Sequence, residues 1–265
     1  MNNSIFEMFK IDKLGKRIFV RILFIVMVLL NLGLIIYPIG DTNFDAYVSW
    51  MNKVMENPSI LDNLNLDTVP LTDGNIIFLC TVFIVFMLDL ASSWLYTGVF
   101  IRAYRKKFEP EKAIKIPKLI FRLFILTISC TFLLSIFSVF VLYLFLFFII
   151  IFPYLVMFPA CYLSGDKSFL ESFKGMVEVT KGYYMINSRN TSIIVCCYLL
   201  FDLIIRALPM NANTSLIPFL NIFILLSLGR YVGIIYLRML KVPGGMMVIV
   251  THKTDNDVQT PDEKN

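Results

Sequence analysis

The sequence predicts an all-α protein built into a membrane, with six transmembrane helices in three hairpins and one amphipathic helix on the cytoplasmic side. Three observations predict it. Hydrophobic residues make up 58% of the 265 positions and charged residues only 16%, against roughly 45–50% and about 25% in soluble domains. The apolar residues come in runs of about 20, or about twice that, and about 20 helical residues cross a hydrocarbon core. The charged residues are sorted by segment, basic in some and acidic in others.

Taken in order, the spans fall at 18–39, 75–100, 119–138, 140–163, 191–208 and 216–240. The first follows a basic segment holding Lys10, Lys13, Lys16 and Arg17. Its apolar run is too long for a signal-peptide h-region, and IIYPIGDT offers no small-x-small cleavage site, so an uncleaved first span is expected. The run from Leu119 to Leu163 is double length without an acidic residue, so it folds back near Ser135–Ser138. The polar cluster PMNANTS separates the last two spans as a turn.

Orientation follows from Lys and Arg. The loop 101–118 carries Arg102, Arg105, Lys106, Lys107, Lys112, Lys115 and Lys118. The loop 41–74 carries Asp41, Asp45, Glu56, Asp62, Asp67 and Asp73 against Lys53 alone. The acidic loop is therefore expected outside. The basic loop, the N-terminal segment 1–17 and the polar tail 242–265 are expected in the cytoplasm, as in a multi-pass protein of the cell membrane.

Composition also excludes chemistry. The five cysteines lie in apolar runs without a C-x-x-C pair and read as small buried hydrophobes. The one histidine, His252, lies in the polar tail. No metal set, nucleophile–base pair or phosphate loop is present, so an enzyme is not expected, nor a cofactor or a metal. The net charge of +5 is distributed by loop and is not a nucleic-acid signal.

One junction stands out: IFPYLVMFPACYLSGDKSFLESFKGMVEVTKGYY, residues 151–184. Pro153 and Pro159 remove two backbone donors and are expected to kink the fourth span. Gly165 and Asp166 end it. Ser168 and Glu171 then fit a capping box opening a helix over 168–181. Phe169, Phe173, Met176, Val177 and Thr180 recur at helical spacing. Glu171, Lys174, Glu178 and Lys181 lie largely on other faces, and Gly182 suits a C-cap. Such a helix lies on the inner leaflet. It is either a plain connector between spans or a docking helix for a protein partner through Ser168, Glu171, Lys174 and Lys181.

This stretch resembles the membrane domain attached to some bacterial glycerophosphoryl diester phosphodiesterases, and related stand-alone bacterial membrane proteins. Pro153, Pro159, Ser168, Ser172, Thr180, Lys181 and Gly182 carry the resemblance, which covers about 35 residues. It implies a six-span bacterial membrane protein. It does not imply phosphodiesterase activity, because in those relatives a separate soluble barrel holds that activity.

Charges inside apolar runs are costly, at roughly 2.5–3.5 kcal/mol each near mid-bilayer. Counted from the ends of their runs, Asp89 of span two and Arg230 of span six lie at matching depths, which makes them a candidate pair. Asp202 and Arg206 are spaced i, i+4 on one face of span five. Either these pairs hold the bundle together, or Asp89, Asp202 and Arg230 line a polar path. Arg122 reads as a snorkelling anchor. Gly229 and Gly233 form G-x-x-x-G, which lets another helix approach closely. The expected function is an accessory or structural protein of the bacterial cell envelope. The alternative is the membrane subunit of a transporter or ATP-driven permease with 168–181 as coupling helix. The expected surroundings are the lipid bilayer. A homo-oligomer and a protein partner at the cytoplasmic face both stay open.

Overall fold

The computed structural model describes residues 7–11, 17–57, 69–138, 151–181 and 184–239. Among the described residues the regular elements are all helical. They are α1 (Arg17–Ile36), α2 (Asp45–Glu56), α3 (Asp73–Phe108), α4 (Ile116–Ser138), α5 (Phe158–Leu163), α6 (Phe169–Thr180), α7 (Tyr184–Arg206) and α8 (Met210–Met239), with a 3-10 turn at Pro110–Lys112. Among the described residues five segments are long and apolar enough to cross a membrane: Ile18–Ile36, Asp73–Phe108, Ile116–Leu133, Tyr184–Arg206 and Leu216–Arg238. Ile151–Leu163 is a shorter apolar segment. The first part of the span expected at 140–163 lies outside the described residues. So do 58–68 of the acidic loop, Gly182 and the tail 242–265.

The apolar faces divide by what they meet. Ile22, Leu29, Phe121, Phe124, Leu200 and Leu203 point outward and are exposed, as lipid-facing residues must be. Tyr96 and Phe100 of α3, Leu119 and Leu126 of α4, and Ile222, Leu226, Tyr231 and Leu237 of α8 form the core. α8 is the axis of the bundle and packs most extensively on α3.

The α3–α8 seam is made of small residues and hydroxyls. Ser93 Oγ donates to the Leu225 carbonyl at 2.8 Å, and Thr97 Oγ1 to the Gly229 carbonyl at 2.9 Å. A Cβ on Gly229 would sit 2.7 Å from the Ser93 carbonyl oxygen, and one on Gly233 would sit 2.6 Å from the Phe100 ring. The G-x-x-x-G pair thus packs within the chain, against α3. Each step of four on α3 matches a step of four on α8, so the two helices run parallel.

At the acidic end, α1 is closed onto α3. Gly40 takes a left-handed φ of 101°, and Asp41 N–H donates to the Gly74 carbonyl at 2.9 Å. The Asn75 side-chain amide donates to the carbonyls of Asp41 and Asn43, both at 2.9 Å. Thr72 and Asn75 form a capping box that starts α3 at this knot.

Several boundaries differ from the sequence expectation. α7 starts at Tyr184 rather than near 191, because Asn187, Asn190 and Thr191 are buried against neighbouring helices instead of lying in water. α8 starts at Met210, so the turn is Ala207–Pro209 and most of PMNANTS is helical. The acidic loop contains α2. The cysteines are not uniformly buried: Cys161 is, but Cys80 and Cys196 are exposed on outward faces.

Two glycine substitutions separate packing from propensity. Gly229→Ala forces a methyl group into the Ser93 backbone and should lower stability by about 1–3 kcal/mol. Gly33→Ala meets nothing within 4 Å and should raise stability by about 0.5–1 kcal/mol through helix propensity. Thermal unfolding of both variants in mild detergent checks the opposite signs.

Candidate functional site

Ser164–Ser168, the corner that joins α5 to α6, is held by two arginines from other helices. Arg105, near the end of α3, grips Asp166 through Nη1 and Nη2, at 2.6 and 2.5 Å. Its side chain is 3% exposed, while that of Asp166 is 39% exposed. This planar two-bond geometry is the strong form of a charge-assisted pair. From α4, Arg122 donates to the carbonyls of Tyr162 at 2.5 Å and Lys167 at 2.8 Å, and its guanidinium lies 4.9 Å from the Tyr162 ring centre. Arg122 therefore binds protein carbonyls, where the sequence suggested a snorkelling anchor. Gly165 turns the chain with φ 90°, a conformation that favours glycine.

The prolines shape the approach to this corner. The helical stretch described from Ile151 breaks at Val156–Met157 and restarts as α5, with Pro159 in its first turn. There the missing N–H of proline costs little. The Pro153 carbonyl accepts a bond from the Asn187 amide at 2.7 Å, and the Asn187 Oδ1 accepts from the Tyr231 hydroxyl at 3.0 Å. This links the broken span to α7 and α8.

α6 begins with the expected capping box. Ser168 Oγ accepts from Glu171 N–H at 3.4 Å, and Ser168 N–H donates to the Glu171 carboxylate at 2.8 Å. Lys181 is the C-cap. An aromatic cluster fixes α6 to α5: the Phe158 ring lies 4.3 Å from that of Phe173 and 5.3 Å from that of Phe169, and Tyr162 lies 5.2 Å from Phe169. Each such pair contributes about 0.5–1.5 kcal/mol beyond burial. The opposite face presents Leu170, Glu171, Lys174, Val177, Glu178 and Lys181 as exposed residues. Lys167 crosses Gly175 to meet Glu178 at 3.0 Å.

The other candidate charges have separate partners. Asp89 accepts from the Asn31 amide of α1 at 3.0 and 3.1 Å. Arg230 donates to the Glu7 carbonyl at 2.7 Å and to the Tyr96 hydroxyl at 3.4 Å. Its Nη2 lies 3.9 Å from the Glu7 carboxylate, and its guanidinium 5.1 Å from the Phe100 ring centre. The expected Asp89–Arg230 pair is thus replaced by Asp89–Asn31 and Arg230–Glu7. The reason is register. Ser93 meets Leu225 and Thr97 meets Gly229, so Arg230 sits level with Thr97–Gly98, roughly 13 Å along α3 from Asp89. Matching depths had assumed that both apolar runs begin in one plane. Asp202 and Arg206 do pair, at 2.7 Å, on an exposed stretch of α7.

Sequence reasoning missed residues 7–11 altogether. Met8 is buried, Phe9 stacks with Phe223 at 6.0 Å, Glu7 pairs with Lys10, and the Ile11 carbonyl accepts from Tyr96 at 2.8 Å. The apolar pair Met8–Phe9 inside a polar segment was the available signal. No family model, curated protein or solved structure matches this chain.

Two outcomes test the corner. Asp166→Asn leaves Arg105 buried without a counter-charge and should cost about 2–3 kcal/mol, with Arg105→Met/Asp166→Asn recovering most of it. Chemical unfolding of the three variants measures this. The Ser168 backbone bond holds the exposed Glu171 carboxyl below its ordinary value of 4.5. A depressed folded value means that the cap stabilises fully above the unfolded value and is lost as pH falls through the folded one. Protection of the first-turn amides of α6, taken against their intrinsic exchange rates, should therefore fall below about pH 4.5 and lose this dependence in Glu171→Gln.

Proposed function

We propose that this chain is an accessory integral membrane protein of the bacterial cell envelope, a rigid six-span assembly without catalysis of its own. One observation carries this reading. Three charges inside the bundle are committed to other elements of the same chain: Arg105 to Asp166, Arg230 to Glu7 and Tyr96, and Asp89 to Asn31. A charge used for transport must exchange partners, and fixed partners suit a structural part.

Six spans are supported by where the chain returns. α4 leaves the basic end at Ile116, and Leu163 is back at that end, since Gly98 faces both Leu119 and Leu163. The sorting of Lys and Arg supports cytoplasmic termini and an external acidic loop.

The second reading is the membrane subunit of a transporter or ATP-driven permease. The observation that favours it is the exposed face of α6, where Leu170 and Val177 flank Lys174 on a helix clamped to the bundle. A helix held this firmly could pass force from a docked partner into α5.

A pull-down in gentle detergent separates the two. The accessory reading expects the protein alone or with envelope-assembly proteins, and no change in recovery with Lys174→Glu/Lys181→Glu. A stoichiometric ATPase subunit, lost in that charge-reversed variant, would replace it with the permease reading. Arg230→Gln should lower stability by about 2–3 kcal/mol. If instead it left unfolding unchanged, the commitment of buried charge to structure would be refuted.

A further inference from the structure

The basic loop does two different jobs with its two kinds of cation. Its arginines face inward and build walls. Arg102 Nε donates to the Ile114 carbonyl at 2.9 Å and fixes the loop, while Arg105 fixes Asp166 and the corner. Between these walls lies a half-open cleft of about 420 Å³, lined by Glu111, Lys112, Lys115, Lys118, Gly165 and Asp166 among others. Ile114 forms part of its floor, packed beneath Gly165. The three lysines are exposed at its edge. Lys112 makes a loose 3.4 Å contact with Glu109, and among the described residues no ion pair is recorded for Lys115 or Lys118. Asp166 is already neutralised by Arg105, and Glu111 offsets one of the three lysines, so the cleft keeps a net positive charge.

Its position selects the ligand. Lys115 and Lys118 stand at the start of α4, whose outward apolar face begins at once with Ile116, Ile120, Phe121 and Phe124, each exposed. A molecule with a negative head in the cleft could therefore lay an apolar tail along α4. We propose that this cleft binds the phosphate group of an anionic lipid headgroup, with Lys112, Lys115 and Lys118 as its cationic contacts and α4 as the seat of an acyl chain. The size suits a glycerophosphate-type head, and the lysines act as adaptable point charges where the arginines hold fixed geometry. Basic clusters beside membrane helices attract anionic lipid with roughly additive strength per lysine.

The test uses the intact chain in neutral detergent, with binding read by native mass spectrometry and by thermal shift. Dioleoylphosphatidylglycerol should bind and raise the melting temperature, more weakly as salt rises. Dioleoylphosphatidylcholine and inorganic phosphate should not. Lys112→Gln/Lys115→Gln/Lys118→Gln should bind phosphatidylglycerol about 100-fold more weakly while melting normally without lipid. The arginine-substituted triple variant should keep most of the binding, which guards against loss through misfolding. Lys106→Gln/Lys107→Gln, outside the cleft, is the control. Equal weakening in that control would reduce the effect to general surface charge and overturn the site. An equal response to inorganic phosphate would overturn the lipid assignment, and undiminished binding in the triple glutamine variant would overturn both.

Discussion

Close contact between α3 and α8 is the constraint on which the other contacts rest. In lipid, apolar helices gain no hydrophobic energy by associating, because the acyl chains are equally apolar. Association must come from fit and from hydrogen bonds. Ser93, Thr97, Gly229 and Gly233 supply both, since absent side chains on α8 let α3 approach until its hydroxyls reach the carbonyls of α8. That approach fixes the register of the two helices, and the register fixes everything level with it. Phe100 comes under the Arg230 guanidinium, Tyr96 comes within reach of residue 11, and Arg105 arrives at the corner beside Asp166.

Seen this way, the molecule is tight at its basic end and thin at its acidic end. Buried side chains of α3 crowd the stretch from Ser92 onward, while Ile76, Ile77, Ile84 and Phe86 lie exposed nearer its start. Polar groups follow the same gradient. The corner, the Asn187–Tyr231 link and the Arg230 site gather where helices are close enough for donors on one to reach acceptors on another. At the acidic end the Gly40–Asn75 knot is the main tie. The rigidity argued for α6 is thus a property of the end it sits on, and the aromatic cluster adds to it.

Much of this was legible in the sequence, and the reasons for the rest are physical. Helix content and the long apolar runs follow from composition and length. The α6 capping box was readable because Ser168 and Glu171 need only local chain geometry. The Gly229–Gly233 approach was readable as a tendency, though not its partner helix. The pairing of Arg230 failed because it depends on the register between distant helices, which a count from run ends does not contain. Arg105 and Arg122 were hidden differently: both looked like ordinary members of a basic loop or an interface, and only the return of the chain at Ser164 makes them contacts. The early start of α7 was missed because Asn187 and Asn190 are polar by type yet buried by position.

The anchoring of residues 7–11 has a consequence for biogenesis. The Glu7 carbonyl and Arg230, bonded to each other, lie 223 positions apart in the chain. At about 5–20 residues per second the ribosome makes Glu7 roughly 10–45 s before it makes Arg230. For that interval the N-terminal segment has part of its seat, on Tyr96, but lacks the cation that closes it. Its final docking therefore waits for α8 to enter the bilayer. A chain stalled or cut before α8 would leave Phe9 without the Phe223 ring it stacks on, an apolar group open to the proteases that triage unfolded chains. The segment 7–11 thus reports on whether α8 has arrived.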